Sequence, residues 1–162
     1  MPAASLTRSV WDVTADEFPT DGTREEQARF LLRYAILAPS SHNSQPWTFE
    51  VGGNEIRIAA DESRWLDAAD PDRRELYISV GCAVESCCVA AEHFGFDPEL
   101  EYHDPGSADN VVTVTLEKGE PANPRPPELV DALTTRATSH EVFEDRALGP
   151  ETRERLRDVV HE

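Results

Sequence analysis

Lysine is almost missing from this chain: Lys118 is the only one in 162 residues, and the remaining basic residues are all arginine. Positive charge as a whole is scarce, with 15 Lys and Arg against 32 Asp and Glu and a formal net charge of −17. Such a surface repels phosphates rather than gathering them, which argues against a nucleic acid or an anionic membrane as partner. Long apolar runs are lacking, and no stretch approaches the roughly 20 residues needed to span a bilayer. The opening MPAASLTRSVWDV has neither the basic start nor the apolar run of a secretory signal, so the expected location is cytoplasmic. Cysteine is sparse and odd in number. Cys82, Cys87 and Cys88 form no C-x-x-C and have no paired histidines at ligand spacing, so they read as small buried apolar residues, with no metal site expected. G-x-G-x-x-G, G-x-x-x-x-G-K-[ST], H-E-x-x-H and G-x-S-x-G are all absent. That removes the simplest routes to a dinucleotide fold, a nucleotide triphosphatase, a zinc protease or an α/β-hydrolase.

What is present suits a folded protein. The length fits one domain, and the 39% of apolar residues are spread along the chain. The acidic, lysine-poor balance is what a cytoplasm of molar salt selects, because screening removes the repulsion between carboxylates; a GC-rich genome gives the same bias.

The pattern along the chain predicts a polar N-terminal extension over residues 1–22, with Trp11 and Phe18 as anchors. An αββαββ unit follows over 23–118, then a proline-rich linker over 119–127 and a helical tail over 128–162. Thr23 and Glu26 form a T-x-x-E capping box at the first helix, and Pro39 closes that helix. WTFEV (47–51) and EIRIA (55–59) flank Gly52-Gly53-Asn54 and predict a hairpin. Asp70-Pro71 predicts the start of a second helix, with Asp70 as N-cap and Pro71 in the first turn. That helix is apolar on nearly all sides, hence buried, and stops at Gly95. Two strands are expected, at 100–103 and 111–117. GEPANPRPP (119–127) is a semi-rigid spacer.

The chemistry concentrates in Ala38-Pro39-Ser40-Ser41-His42-Asn43-Ser44-Gln45-Pro46-Trp47, between the first helix and first strand. Hydroxyls and amides crowd there between two prolines, offering donors and acceptors without charge. Such groups suit a neutral heteroaromatic ring with carbonyl and imide edges better than a phosphate. An ordinary polar turn after a helix stop gives the same composition. The five histidines (His42, His93, His103, His140, His161) are scattered and read as surface or packing residues.

The run APSSHNSQPWTFEV resembles the flavin-binding signature of the nitroreductase family, A-x-x-A-P-S-x-x-N-x-Q-P-W-x-F. Asp61-x-x-Arg64-x-Leu66, Asp70-Pro71, Arg74-Glu75, Ile78-Ser79-x-Gly81-Cys82-Ala83 and the opening Trp11, Phe18 and Pro19 resemble its double-length, Acg-type branch. The resemblance covers most of residues 11–158. It implies an α+β fold with an antiparallel sheet packed against long central helices. It also implies non-covalent FMN, NADH or NADPH as electron donor, and a nitro compound, quinone or similar small molecule as acceptor, bound in turn on one flavin face. Ring-side contacts then fall to Pro39, Ser40, Ser41, Asn43 and Gln45. The family's phosphate-holding R-x-[ST]-x-[RK] run corresponds to Arg136-Ala137-Thr138-Ser139-His140, with Arg136 and Thr138 as contacts and His140 where a basic residue is usual. No catalytic side chain is required, since the flavin carries the chemistry. Acg-type proteins are about twice this length, so the chain corresponds to the first half and the start of the second. A homodimer that rebuilds the site, association with a separate second half, and a truncated half-domain or flavin-sequestering protein without turnover all remain open. Poor cover over the faces of helix 72–94 predicts self-association.

Overall fold

The capping box forms as the sequence predicts. The Glu26 amide donates to the Thr23 hydroxyl at 3.2 Å, and the Thr23 amide donates to the Glu26 carboxylate at 2.8 Å. The Thr23 amide and, at 3.0 Å, the Thr23 hydroxyl donate to the Glu26 carboxylate and hold it below its ordinary range, and the cap starts helix α1 (Arg24–Ala35), which buries Gln27, Ala28, Phe30, Leu31, Tyr34 and Ala35. Beyond the cap at Ile36, the amides of Leu37 and Ala38 donate to the carbonyls of Tyr34 and Ala35, tightening the chain into Pro39. These details come from a computed structural model, which describes residues 9–103, 112–139 and 141–161.

Strand β1 (Trp47–Gly52) and strand β2 (Glu55–Ala60) pair antiparallel with Gly52 opposite Glu55, so Gly53 and Asn54 make the turn. Gly53 sits at φ +65°, a conformation that glycine adopts at little cost. Helix α2 (Arg74–His93) is the long central helix. Its start corrects the expectation: the helix begins at Arg74, after a left-handed Arg73 (φ 61°), so Pro71 lies outside it. Asp70 still caps it from a distance. Its carboxylate accepts the amides of Glu75 and Leu76, both at 2.9 Å, and these are among the donors that a helix start leaves unpaired. The helix ends as predicted, with Phe94 as cap and Gly95 at φ +81°.

Strand β3 (Phe96–Tyr102) begins at once after Gly95, four residues before the expected start at 100. Pro98 hid the beginning, because proline cannot donate to a ladder; β3 is an edge strand, where that loss is tolerated. Strand β4 (Val112–Lys118) lies between β2 and β3, giving the antiparallel order β1-β2-β4-β3. The fold is α+β, with a four-stranded antiparallel sheet. One sheet face places Ile56, Ile58, Phe96, Val112, Val114 and Leu116 against α1 and α2. Phe18 joins this core from the N-terminal segment, stacked on Phe94 at 4.3 Å and edge-on to Phe30 at 5.5 Å.

The cover over α2 is better than expected. Eleven of its residues are buried, Cys87 and Cys88 among them, and the open positions are a stripe through Arg74, Ile78, Gly81 and Glu85 together with Glu75 and His93 near the two ends. Burial pushes both thiols up, Cys88 to about 12, so neither is a thiolate near neutral pH. The proline-rich segment is more than a spacer. The Arg125 guanidinium grips the Glu85 carboxylate at 2.7 and 2.8 Å and also pairs with Glu92, while its amide donates to Glu92 at 2.8 Å. Helix α3 (Leu129–Thr135) then packs on α2 through the buried Val130. Helix α4 (Pro150–His161) closes the described chain.

Candidate functional site

The polar loop leaves α1 at Pro39 and enters β1 at Trp47. Its backbone is unusual. His42, Asn43 and Gln45 hold left-handed conformations at φ 50°, 55° and 50°, a region that non-glycine residues seldom adopt. The surroundings fix this shape. The Gln45 amide donates to the Ser40 hydroxyl at 2.9 Å, and the Asn43 amide donates to the Ser40 carbonyl at 3.0 Å. The Ser41 amide donates to the hydroxyl of Ser79 on α2 at 3.2 Å, and that hydroxyl donates in turn to the Glu75 carbonyl at 2.7 Å. Arg64 reaches the Ser44 and Gln45 carbonyls at 3.3 and 3.4 Å.

The second wall comes from the segment after α3. Arg136 donates through Nε to the Leu37 carbonyl at 3.1 Å and through Nη2 to the same oxygen, so it holds the turn that follows α1. Nη1 lies 3.5 Å from the Thr138 hydroxyl, and the guanidinium sits 5.7 Å over the Trp11 ring. A cleft of about 340 Å³ opens between the two walls, lined by Trp11, Pro39, Ser40, His42, Asn43, Arg136, Ala137 and Thr138.

The sequence-predicted residues thus divide. Pro39, Ser40, Asn43, Arg136 and Thr138 meet at this one cleft. Ser41 turns to a separate hollow of about 10 Å³ with Asp70 and Ser79. The Gln45 amide points back to the Ile36 carbonyl at 3.4 Å, bracing the loop from beneath. His140 lies outside the described residues. Among the described residues, the Asn43 side chain makes no hydrogen bond, and its left-handed backbone sets it exposed at the cleft. Cys82, half-buried on α2, has its thiol pushed up by burial, with the Arg136 charge pulling the other way. Among the described residues no His, Cys, Asp and Glu group could hold a metal ion.

Comparison with known proteins bears on part of this chain. Residues 8–78 match a family profile described as "Putative TM nitroreductase". Part of this chain is nitroreductase-like. The chain is 32% identical over 93 residues to "Putative NAD(P)H nitroreductase Rv3131" of Mycobacterium tuberculosis, covering 57% of this chain and 27% of that protein. It is 28% identical over 110 residues to "Probable NAD(P)H nitroreductase PigM" of Serratia, covering 67% and 30%. "Putative NAD(P)H nitroreductase acg" of M. tuberculosis is 31% identical over 70 residues, covering 43% and 21%. The chain spans about a quarter of the length of the curated relatives it matches. The nitroreductase-like stretch contains Trp11, the whole polar loop and Asp70, whereas Arg136 and Thr138 lie beyond it.

Sequence reasoning did not assign Trp11 or Ser79 to the site. Trp11 carried two signals, a large aromatic in a polar segment and its place in the opening Trp11, Phe18 and Pro19 resemblance. Ser79 carried only its place in the Ile78-Ser79-x-Gly81-Cys82-Ala83 resemblance, because a serine on a helix says nothing of a loop that it meets across 38 residues of chain. Among the described residues no helix is long and apolar enough to cross a membrane.

Proposed function

We propose that the cleft is an FMN site and that the chain serves an NAD(P)H oxidoreductase of the nitroreductase type. The observation that carries this reading is the meeting of the polar loop and the Arg136 segment along one cleft of one chain. Its volume of about 340 Å³ lies within the usual range of small-molecule sites. The donor set fits the cofactor. Ser40 and the Asn43 amide offer neutral groups to a ring with carbonyl and imide edges. Arg136 has two N–H groups left beyond those directed at Leu37 and Thr138, enough for a charge-assisted bond to a phosphate. Pro39, Ser40, Ser41, Asn43 and Gln45 would shape the ring side, Ser41 and Gln45 by bracing the loop. Arg136 and Thr138 would hold the phosphate end, and His140, which stands where the family run usually has a basic residue, completes the candidate set.

When bound, FMN supplies hydride acceptance from NADH or NADPH and hydride delivery to a nitro compound, quinone or similar acceptor. The residues' own task is to orient the ring and to keep the loop's geometry fixed while the two small molecules exchange. The net charge of −17 is compatible with an anionic cofactor, because a nearby guanidinium outweighs distant screened carboxylates. The same acidic surface suits a cytoplasm of molar salt. The open stripe on α2 and the exposed Val142 and Phe143 suit a homodimer or a separate second half.

The test is an FMN titration of the chain in high salt, followed by flavin fluorescence and colour. Binding is expected, and its absence overturns the reading. Arg136→Ala should weaken FMN about tenfold or more while riboflavin, which has no phosphate, loses less; equal losses contradict the phosphate role. A second reading is flavin binding without turnover. The engagement of Arg136 with the Leu37 carbonyl favours it, because that guanidinium is already in part committed within the chain. Oxidation of NADPH with a quinone or nitroaromatic acceptor separates the two.

A further inference from the structure

Trp11 stands apart from the aromatic cluster of the core. Phe18, Phe30, Tyr34 and Phe94 form one interlocking cluster, whereas Trp11 is 43% exposed and borders the cleft. Its place is not left to chance. The Asp12 amide donates to the Ser9 carbonyl at 3.0 Å and the Ser9 amide to the Asp12 carboxylate at 2.8 Å, closing a turn around it. Val13 follows directly and is anchored in the core. On the other side the Arg136 guanidinium lies over the indole at 5.7 Å, and Arg136 is itself fixed to the Leu37 carbonyl. An indole whose backbone is fixed by a turn and whose ring lies beside a guanidinium at the mouth of a cleft is a surface for a flat ring. It presents a large apolar face with few rotatable bonds, and its electron-rich face attracts an electron-poor heterocycle. The hydrogen-bonding groups at Ser40 and Asn43 border the same space and read a ring's polar edge.

We infer that Trp11 is the aromatic wall of this site, stacking on an electron-poor planar ring whose polar edge meets Ser40 and Asn43. This rests on the flavin reading above and adds to it a residue from the N-terminal segment and a division of labour: Trp11 recognises the ring, and Arg136 the anionic end. The two contributions are separable because riboflavin and FMN share the ring and differ in the phosphate.

The experiment compares FMN and riboflavin binding to the wild-type chain, Trp11→Ala, Trp11→Phe and Arg136→Ala, by calorimetry in high salt. Trp11→Ala should weaken both flavins by about the same factor, roughly tenfold, as expected for a lost stacking partner. Trp11→Phe should stay within about threefold of wild type, since a flat ring is restored. Thermal unfolding of each variant controls for folding, which the exposed indole should affect little. Unchanged flavin affinity in Trp11→Ala overturns the inference and leaves the flavin reading standing. A loss confined to FMN also overturns it, because that assigns Trp11 to positioning Arg136 rather than to the ring. Failure of wild type to bind either flavin overturns both.

Discussion

Helices α1 and α4 have the same length, 12 residues, and opposite fates. Half of α1 is buried against α2 and the sheet, and a reciprocal cap closes its start. The side chains of α4 through Asp158 are all exposed, Leu156 at 55% among them. The chain leading to α4 carries Val142 and Phe143 at 98% and 89% exposure. The difference teaches that helical periodicity alone does not create a core position. A helix is stabilised chiefly by the face it buries, and a short helix without one is marginal. The first segment supplies its own partners, while the second presents apolar side chains without covering them.

The contrast can be broken most strongly at Leu31, which is fully buried in α1. Leu31→Ala should cost about 2–5 kcal/mol in denaturant unfolding through lost burial and a cavity. A cost below about 1 kcal/mol would mean that the helical layer is looser than its burial indicates. The next effect is a pH dependence at α2. Burial raises the Asp70 pKa, but the amide bonds from Glu75 and Leu76 outweigh it and hold the carboxyl below its ordinary value of 3.8. A folded pKa below the unfolded one stabilises above the unfolded value, and the gain disappears as pH falls through the folded value. The wild-type chain should therefore lose stability as pH drops below about 4, and Asp70→Asn should flatten that limb. Parallel acid limbs in the two proteins would remove Asp70 from the account. The smallest effect belongs to Leu156. Its change to alanine should move unfolding by less than about 0.5 kcal/mol, as for other exposed positions. A larger loss would show that α4 has a partner in solution.

Legibility in the sequence followed the range of the interaction. Thr23 and Glu26 and the Gly95 stop are local devices, and each forms where expected; the turn expected over Gly52-Gly53-Asn54 forms at Gly53-Asn54, with Gly52 still in β1. Asp70 was the right residue with the wrong offset, because a left-handed Arg73 carries the chain around before the helix begins. Phe96 and Asp97 were missed as strand because Pro98 follows them, and only the sheet order shows that the edge tolerates it. At the site, the Pro39–Gln45 loop was legible because its composition is dense. Its convergence with Arg136 is a bond across 99 residues to the Leu37 carbonyl, and no spacing rule announces such a contact. The inward turn of Gln45 and the outward turn of Asn43 depend on backbone angles that residue types alone do not set.

The grip of Arg125 on Glu85 and Glu92 has a consequence for the search that the following segment must make. A free proline-rich chain would let residues 128–139 sweep a wide volume around the first unit. Fixed to α2 at Arg125, that segment starts its search from a defined point, and the local concentration of Arg136 at the cleft rises accordingly. The clamp therefore acts on encounter frequency: it raises the odds that Arg136 meets Leu37 without touching either residue.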